Sequence, residues 1–429
     1  MFPDHIDYTI QGGTDIAFPN MVTIRQNYDD THIANIPAAT RESIDSLALG
    51  DVRGKRIAVT AGSRGVANID VVTREIVARL KELGAQPFVF PAMGSHGGGK
   101  ADSQVRYLAG YNITEETVGC PILSSMETVE IGALPNGVKV YCDKIAWESD
   151  GIIAVNRVKP HPNFKASVES GLCKMLVIGM GKHKGAASIH QLGFDMFGDV
   201  LPAAAAVHVA AGKMLGAVGL VENAYDETMV IRAFRPEGII EGDKELLTIA
   251  RESMARFLLP RIDVLVVEEI GKNISGSGMD PNVTGRPLSG LPGFETIPIR
   301  KIVVLDLTEE TMGNATGLGP ADVTTLGLVR KINFDYVYTN AMTSTELMAG
   351  KLPVFVNNDK EAIAVGIICC PRVTPETALV AKIKNTLCLG EIEVSESYLP
   401  LLEGDDRFTI VSGPRPMRFD RDGALIKQG

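Results

Sequence analysis

The stretch RIAVTAGSRG (Arg56–Gly65) carries the pattern that decides the fold. It starts as a short run of β-prone apolar residues and then enters a turn that contains two glycines. The following segment, IDVVTREIVARLKELGA (Ile69–Ala85), has the apolar spacing of an amphipathic helix. A buried strand, a tight turn and a helix in this order form the repeating unit of an open α/β sheet, so the sequence predicts an α/β protein.

Two further segments in the first half of the chain follow the same order. QPFVFPAMGSHGGG (Gln86–Gly99) ends an apolar run in a glycine-rich loop, and SDGIIAVNRVKP (Ser149–Pro160) supplies a third strand. Ligands of such sheets gather at the carboxyl ends of the strands. We therefore expect the loops after the three strands to converge on one pocket.

The second half of the chain contains another set of apolar runs that are predicted to be strands: RIDVLVVEEIG (261–271), IRKIVVLDL (299–307), FDYVYTNAMTS (334–344) and EAIAVGIICC (361–370). A chain of 429 residues exceeds the size of most single cores, so two domains are expected. The prediction is an N-terminal α/β domain over 1–259 with the catalytic and cofactor-binding residues, and a C-terminal α/β domain over 260–392 that closes a cleft. The tail 393–429 is predicted to return to the first domain.

Composition excludes several classes of protein. The net charge of −10 argues against a nucleic-acid partner, which needs a broad positive surface. The apolar segment Val200–Val221 contains His208 and Lys213, which favours a buried helix over a membrane span. The start MFPDHIDYTI lacks the features of a secretory signal, and six cysteines without paired spacing indicate reduced thiols. A cytoplasmic protein with no membrane association is expected.

Positive charge is concentrated in one part of this acidic chain. Residues 151–190 contain six lysines or arginines, one acidic residue (Glu169) and three of the seven histidines. A charge run is commonly a solvated face, but here the cations alternate with apolar residues and glycines. This interleaving favours a local anion site inside the fold.

The turn of the first unit is a candidate anion-binding loop. Ser63, Arg64 and Gly65 lie between a predicted strand and a helix, where free backbone N–H groups favour a negative charge. The guanidinium of Arg64 can add a bidentate contact to a phosphate or a carboxylate. A plain tight turn with a surface arginine would have the same sequence.

Two histidines occur at the ends of the other two predicted strands. His96 lies in GSHGGG, where glycines allow close approach of a ligand, and His161 lies between prolines in KPHP. Imidazoles exchange protons near neutral pH, so this pair could serve in acid/base catalysis. Structural histidines with hydrogen-bonded rings are the alternative.

Lys174 and His190 complete the set of candidates. Lys174 lies in the apolar run ESGLCKMLVIGMG, where desolvation disfavours its charged form and makes the amine a better nucleophile. His190 follows sixteen residues later and could bind a borderline metal ion. The chain contains no HExxH, paired CxxC or EF-hand pattern, so no motif specifies an all-protein metal site, and a cofactor could supply further ligands to a bound metal.

These residues together resemble the nickel-pincer-nucleotide-dependent lactate racemase family. The resemblance is sharpest over RVKPHPNFKASVESGLCKMLVIGMGKHKGAASIH (157–190), including the interval of sixteen residues from Lys174 to His190. It implies that the chain is an isomerase that inverts C2 of a small 2-hydroxy acid by transient hydride transfer. The implied cofactor is a nickel complex of pyridinium-3-thioamide-5-thiocarboxylic acid mononucleotide, made by separate biosynthesis proteins.

The resemblance also implies residue roles. Lys174 corresponds to the lysine that tethers the cofactor, His190 to the nickel ligand, and His96 and His161 to the acid/base pair. Arg64, with Ser63 and Gly65, would bind the cofactor phosphate, or Arg64 the substrate carboxylate. Lys272, in the glycine-rich segment GKNISGSGMDPNVTGRP (271–287), would be the substrate-binding lysine.

Three features differ from the family pattern and leave the identity of the 2-hydroxy acid open. The interval from His161 to Lys174 is longer, and TAGSRG lacks the acid that accompanies the family's arginine. The aromatic residue near the family's substrate site has no obvious counterpart, since the single tryptophan, Trp147, lies before the 157–190 segment. Two other functions stay possible from the residues alone. His96, His161 and His190 could bind zinc or nickel directly in a hydrolase, or the cations could belong to a non-catalytic protein that binds anionic metabolites.

Overall fold

The computed structural model describes residues 2–426 and has a mixed α/β fold. The chain forms two compact units, one made of residues 1–28 together with 255–429, the other of residues 29–254. The predicted fold class is therefore confirmed.

The strands in chain order are β1 (Asn20–Gln26), β2 (Arg56–Ala61), β3 (Gln86–Pro91), β4 (Thr128–Ala133), β5 (Lys139–Asp143), β6 (Gly151–Arg157), β7 (Met214–Glu222), β8 (Thr228–Phe234), β9 (Ile262–Ile270), β10 (Ile299–Leu307), β11 (Val323–Thr325), β12 (Val354–Val356), β13 (Val380–Ile383), β14 (Glu391–Ser395), β15 (Phe408–Ile410) and β16 (Arg415–Pro416).

The helices are α1 (Ile36–Ser46), α2 (Ile69–Glu82), α3 (Ala101–Gly110), α4 (Glu115–Val118), α5 (Lys144–Trp147), α6 (Leu172–Lys174), α7 (Lys182–His190), α8 (Phe197–Ala210), α9 (Ile239–Ser253), α10 (Pro281–Thr284), α11 (Leu326–Lys331), α12 (Phe334–Ser344), α13 (Asp359–Ile368) and α14 (Leu399–Leu402). A π-helical turn, Met175–Gly179, joins α6 to the segment before α7.

The unit of residues 29–254 is built on a five-stranded sheet in the order β3-β2-β6-β7-β8. Its first four strands are parallel, and β8 runs antiparallel to β7. Helix α2 buries Val72, Ile76 and Leu80, which lie four residues apart and so share one face. Parallel strands are covered on both faces, which explains why β2, β3 and β6 read as continuous apolar runs.

The other unit is built on a nine-stranded sheet with the order β12-β11-β10-β9-β13-β14-β1-β15, and β16 pairs with β1. Strands β9 to β13 are parallel neighbours in this sheet, whereas β14, β1 and β15 pair in antiparallel fashion.

The observed units differ from the predicted domains in the position of the division and in the unit to which both terminal segments belong. The observed division falls after residue 254 rather than 259, and the tail 393–429 stays with the unit of residue 255 onward instead of returning to the first domain. The first 28 residues also belong to that unit. The reason is that β1 pairs with β14 and β15 and buries Val22 and Ile24 in the core of the nine-stranded sheet.

Three predicted elements are different in the structure. The segments 334–344 and 361–370, predicted as strands, lie mainly in α12 and α13. Asn333 and Asn358 cap these helices by accepting hydrogen bonds from Tyr336 N and Glu361 N. The apolar segment Val200–Val221 is divided between the end of α8 and β7 rather than forming one buried helix.

Within residues 2–426 no single helix is both long and apolar enough to cross a membrane. The pair Lys182–His190 and Phe194–Ala210 would meet the requirement by length and composition alone, but it is bent by 95°.

Candidate functional site

The candidate site lies where three neighbouring parallel strands of the unit 29–254 end. Strands β3, β2 and β6 are adjacent, so their following loops lie side by side. The backbone N–H of Ala92 donates to Ala61 O at 2.8 Å, and that of Gly94 donates to Gly179 O at 3.2 Å. The loop that carries His96 therefore contacts both the end of β2 and the π-helical turn that follows Lys174.

His96 and Arg64 belong to two of these loops and are both exposed. The ring Nδ1 of His96 is hydrogen-bonded to the hydroxyl of Ser63, the residue before Arg64. The phenol of Tyr111 donates to Ser63 O at 3.0 Å and so supports the same turn. A methyl group added at Gly65 would lie 3.6 Å from Tyr111 Cε1, an ordinary van der Waals distance, so the aromatic ring lies directly beside this turn.

His161 is buried at the end of the third strand, with 6% of its surface exposed. Its ring packs on Phe164 at a centroid distance of 4.5 Å, and its Nδ1 accepts a hydrogen bond from Asn163 N at 3.1 Å. Because Nδ1 is an acceptor, the neutral ring carries its proton on Nε2. Burial, with added repulsion from Lys174, holds the pKa of His161 well below its usual 6.5, so the ring is neutral at physiological pH.

A buried carboxylate fixes the loop around His161. Glu169 accepts hydrogen bonds from the backbone N–H groups of His161 at 2.5 Å and Ala166 at 3.2 Å. It is also paired with Lys165 at 3.4 Å and with Arg251 from α9. With the carboxylate satisfied on every side, the 161–169 loop has a defined conformation in which His161 is held from its backbone.

Lys174 ends α6 and is only partly exposed. Its Nζ makes no hydrogen bond or ion pair with any residue in the described part of the chain. Burial, followed by the positive charges of Arg64 and Lys159, lowers the pKa of Lys174 from 10.5 to about 7. A substantial fraction of this amine is uncharged near neutral pH, and uncharged amines are nucleophilic.

The start of the helix that carries Lys174 is held by an acid from α9. Asp243 is buried and accepts hydrogen bonds from Leu172 N at 2.8 Å and Cys173 N at 2.9 Å. These are two of the free N–H groups at the beginning of a helix. Burial raises the pKa of Asp243 while these backbone bonds counteract the rise. A residue 71 positions away thus fixes where α6 begins.

His190 ends α7 and has a ring suited to metal coordination. Its Nδ1 lies 2.7 Å from the carbonyl oxygen of Ala186, which can only accept, so Nδ1 carries the proton and Nε2 has a lone pair. Burial lowers the pKa of His190, which keeps the ring in the neutral form that binds metals. The ring contacts Phe194 and Phe197, with centroid distances of 6.0 and 5.3 Å.

The structure brings the predicted residues of this unit together. The rings of His161 and His190 both contact Phe194, and the charge of Lys174 acts on the pKa of each. Arg64 acts in turn on the pKa of Lys174, and the preceding Ser63 is bonded to His96. The predicted Lys272 belongs to the other unit, where its Nζ donates to Gly276 O at 2.8 Å.

No three His, Cys, Asp or Glu side chains within residues 2–426 are grouped so that they could hold a metal ion. The arrangement in which His96, His161 and His190 together bind zinc or nickel directly is therefore not supported by the positions of these rings.

Comparison with known families matches residues 21–196 to the lactate racemase N-terminal domain. This range includes every candidate residue except Lys272. Residues 21–196 are therefore a domain of the lactate racemase N-terminal type. The fold agrees with this conclusion, since the apoprotein of lactate racemase from Thermoanaerobacterium thermosaccharolyticum is similar to this chain with a TM-score of 0.50. The two share 12% identity over 86% of this chain and 99% of that one. No curated protein sequence matches the chain significantly.

Sequence reasoning missed the residues that support the candidate side chains in this lactate racemase-type domain. Glu169 counted only as the single acid among cations, and Asp243 was not singled out, because its partners are 70 and 71 residues away. A lone acid within a basic segment is the one signal that could have identified Glu169, since a buried carboxylate requires several donors.

The low pKa of Lys174 leads to a testable expectation. In the protein free of cofactor, acylation of Lys174 by a neutral amine reagent should reach half of its maximal rate near pH 7, because only the uncharged amine reacts. Peptide mass spectrometry after brief labelling at a series of pH values measures this midpoint, with exposed lysines of the same chain as internal references. A midpoint near 10.5, the ordinary value, would contradict the expectation.

Proposed function

We propose that this protein is a 2-hydroxy-acid racemase or epimerase that works with a nickel-pincer nucleotide attached to Lys174. The observation that carries the proposal is the amine of Lys174, which has a pKa of about 7 and no hydrogen-bond partner in the described part of the chain. Its charge also lowers the pKa values of His161 and His190. The match of residues 21–196 to the lactate racemase N-terminal domain supports a racemase function.

The residues present fit such a group. The Lys174 amine has the uncharged form that a covalent amide-type attachment needs, and Nε2 of His190 has the lone pair that a nickel ion needs. Within residues 2–426 no group of three His, Cys, Asp or Glu side chains could hold a metal by itself, which suits a metal whose other ligands belong to the nucleotide. When bound, the nucleotide would supply a hydride acceptor for C2 of the substrate.

Side chains of the protein accept and return the proton of the substrate hydroxyl. His96 and His161 are the proposed acid/base pair, one for each enantiomer. In the resting conformation His161 presents Nε2–H, so it donates a hydrogen bond to a substrate oxygen. It becomes a base at Nδ1 only when the contact with Asn163 N is released. His96 is held at Nδ1 by the Ser63 hydroxyl, which orients the ring from the neighbouring loop.

The remaining candidates bind anionic groups in this proposal. Arg64 is exposed on the turn that also contains Ser63 and Gly65, so it can receive the substrate carboxylate or the cofactor phosphate. Lys272 is the proposed substrate-binding lysine of the other unit. A cytoplasmic location, and supply of the cofactor by its biosynthesis proteins, belong to the same proposal.

The test is to co-express the protein with cofactor biosynthesis proteins and to measure intact mass, nickel content and inversion of 2-hydroxy acids. We expect a mass increment mapped to Lys174, about one nickel per chain, and conversion of a pure enantiomer of at least one 2-hydroxy or sugar acid into a mixture. The variant Lys174→Arg keeps a long basic side chain, but its guanidinium cannot accept the attachment, so it should show no increment and no inversion. An unmodified wild-type chain, beside a known lactate racemase that is loaded in the same cells, would overturn the proposal.

A further inference from the structure

Lys182 is a completely buried cation in a backbone conformation that rarely accommodates a lysine. Its exposed surface is 0% and its φ is +54°, in the left-handed region that favours glycine. The ammonium lies 3.0 Å from Asp143 Oδ2 and 2.5 Å from the carbonyl oxygen of Pro91, the last residue of β3. Both the strained backbone and the desolvated charge cost free energy, so the contacts of Nζ need an explanation.

A third contact of Lys182 leads to the loop that carries His96. Its Nζ lies 3.4 Å from Gln104 Oε1, and Gln104 on α3 is itself buried. The carboxamide nitrogen of Gln104 donates to Gly94 O and His96 O, each at 3.1 Å. The side chain can adopt only this orientation, because two carbonyl oxygens require a donor and an ammonium requires an acceptor.

The same lysine begins the helix that ends at His190. Lys182 is the first residue of α7, and the π-helical turn after Lys174 ends three residues before it. The neighbouring turn residue Gly179 accepts the hydrogen bond from Gly94 N at 3.2 Å. The loop of His96 is thus bound to the 174–190 segment twice, once through backbone atoms and once through the buried chain of Asp143, Lys182 and Gln104.

An apolar residue in place of Lys182 would fill the same space without a buried charge that needs a partner. Buried ion pairs add little or nothing to stability on average, so stability alone does not account for this lysine. What such a pair does supply is a defined geometry, since each polar atom must meet its partner. We propose that Lys182, Asp143 and Gln104 are positioning residues that hold the His96 loop in a fixed place relative to the Lys174–His190 segment. The consequence of this positioning for catalysis rests on the proposed function, in which His96 is an acid/base group.

The first test replaces Gln104 with leucine, which keeps the volume and removes the hydrogen bonds to Gly94 O and His96 O. Amide hydrogen exchange of residues 93–99, measured by mass spectrometry of peptides from the whole protein, should become about tenfold faster, the typical effect of losing a buried hydrogen bond.

The second test separates positioning from stability. Lys182→Met alone strands the carboxylate of Asp143, whereas Lys182→Met with Asp143→Asn leaves no unpaired charge and keeps the acceptor for Ala146 N. We expect the double variant to regain most of the thermal stability lost in the single variant, yet to keep the faster exchange in 93–99. Lys382→Met is the matched control, because Lys382 is a buried lysine paired with Glu268 and Glu393 in the other unit, and exchange of 93–99 should not change.

The loaded enzyme supplies the catalytic measurement. In Gln104→Leu and in the double variant, kcat should fall about 100-fold while KM stays within about twofold, because a catalytic group misplaced by about 1 Å loses rate rather than binding. Unchanged exchange of 93–99 in both variants would overturn the proposal, as would faster exchange with unchanged kcat. Failure of the proposed function is recognised separately, because the wild-type chain would then lack the mass increment on Lys174.

Discussion

Replacement of His161 by asparagine should lower the kcat of the loaded enzyme by about a thousandfold, the usual value of a general acid/base group. The asparagine amide can still form polar contacts in the pocket but cannot exchange a proton. Binding of the cofactor at Lys174 should persist, because the loop keeps the bonds between Glu169 and the backbone of residues 161 and 166. The measurement is the initial rate of inversion for each enantiomer, together with intact mass as a check on loading.

The pH profile adds a second readout for His161. Its pKa is well below 6.5, so the neutral ring persists when the solution is made mildly acidic. A decrease of kcat/KM caused by protonation of His161 should therefore appear below pH 6.5 and should be absent from the residual activity of the asparagine variant. His32→Asn is the matched control, since His32 is exposed and bonded to Asp30 O. Equal rates in the two variants would exclude His161 from proton transfer.

The strands that form the site were predictable because parallel buried strands leave a strong signal. β2, β3 and β6 each read as a short apolar run that ends at a glycine or proline, and their following loops contain His96, His161 and Arg64. The segments that became α12 and α13 were misassigned because a short apolar run has no period that separates a strand from a buried helix. Asn333 and Asn358 were available as helix start signals.

The supporting residues of the site could not be predicted, because their partners are distant in sequence. Asp243 accepts bonds from residues 70 and 71 positions away, and Lys182 reaches Gln104 at a separation of 78. In the sequence Lys182 is simply one of several cations in a basic segment, and nothing local shows that its side chain is buried. Strand β1 lies near the start of the chain and pairs with β14 near its end, for example Met21 with Ser395. Such a distant pairing leaves no local signal, which is why the terminal segments were assigned to the wrong unit.

Gly171→Ala should markedly destabilise the unit 29–254, although it removes no charge and no hydrogen-bonding group. A Cβ at this position would lie 1.9 Å from Asp243 Oδ1 and 2.7 Å from its Cγ. The backbone is not the cause, since φ is −161°, an extended value that any residue adopts. Asp243 is buried and cannot retreat without giving up its bonds to Leu172 N and Cys173 N.

The expected cost of Gly171→Ala is about 3 kcal/mol, from overpacking combined with the loss of a buried helix cap. Trp147 is the single tryptophan of the chain and lies in this unit, so its fluorescence during urea unfolding reports the unit directly. Gly110→Ala is the control, because Gly110 ends α3 with no heavy atom within 4 Å of an added methyl group, and its stability should equal or slightly exceed that of the wild type. If both variants unfold at the same urea concentration, Asp243 does not fix the start of α6. If only Gly171→Ala is destabilised, the acid on α9 determines where the helix of Lys174 begins, and with it the position of the amine that we propose for cofactor attachment.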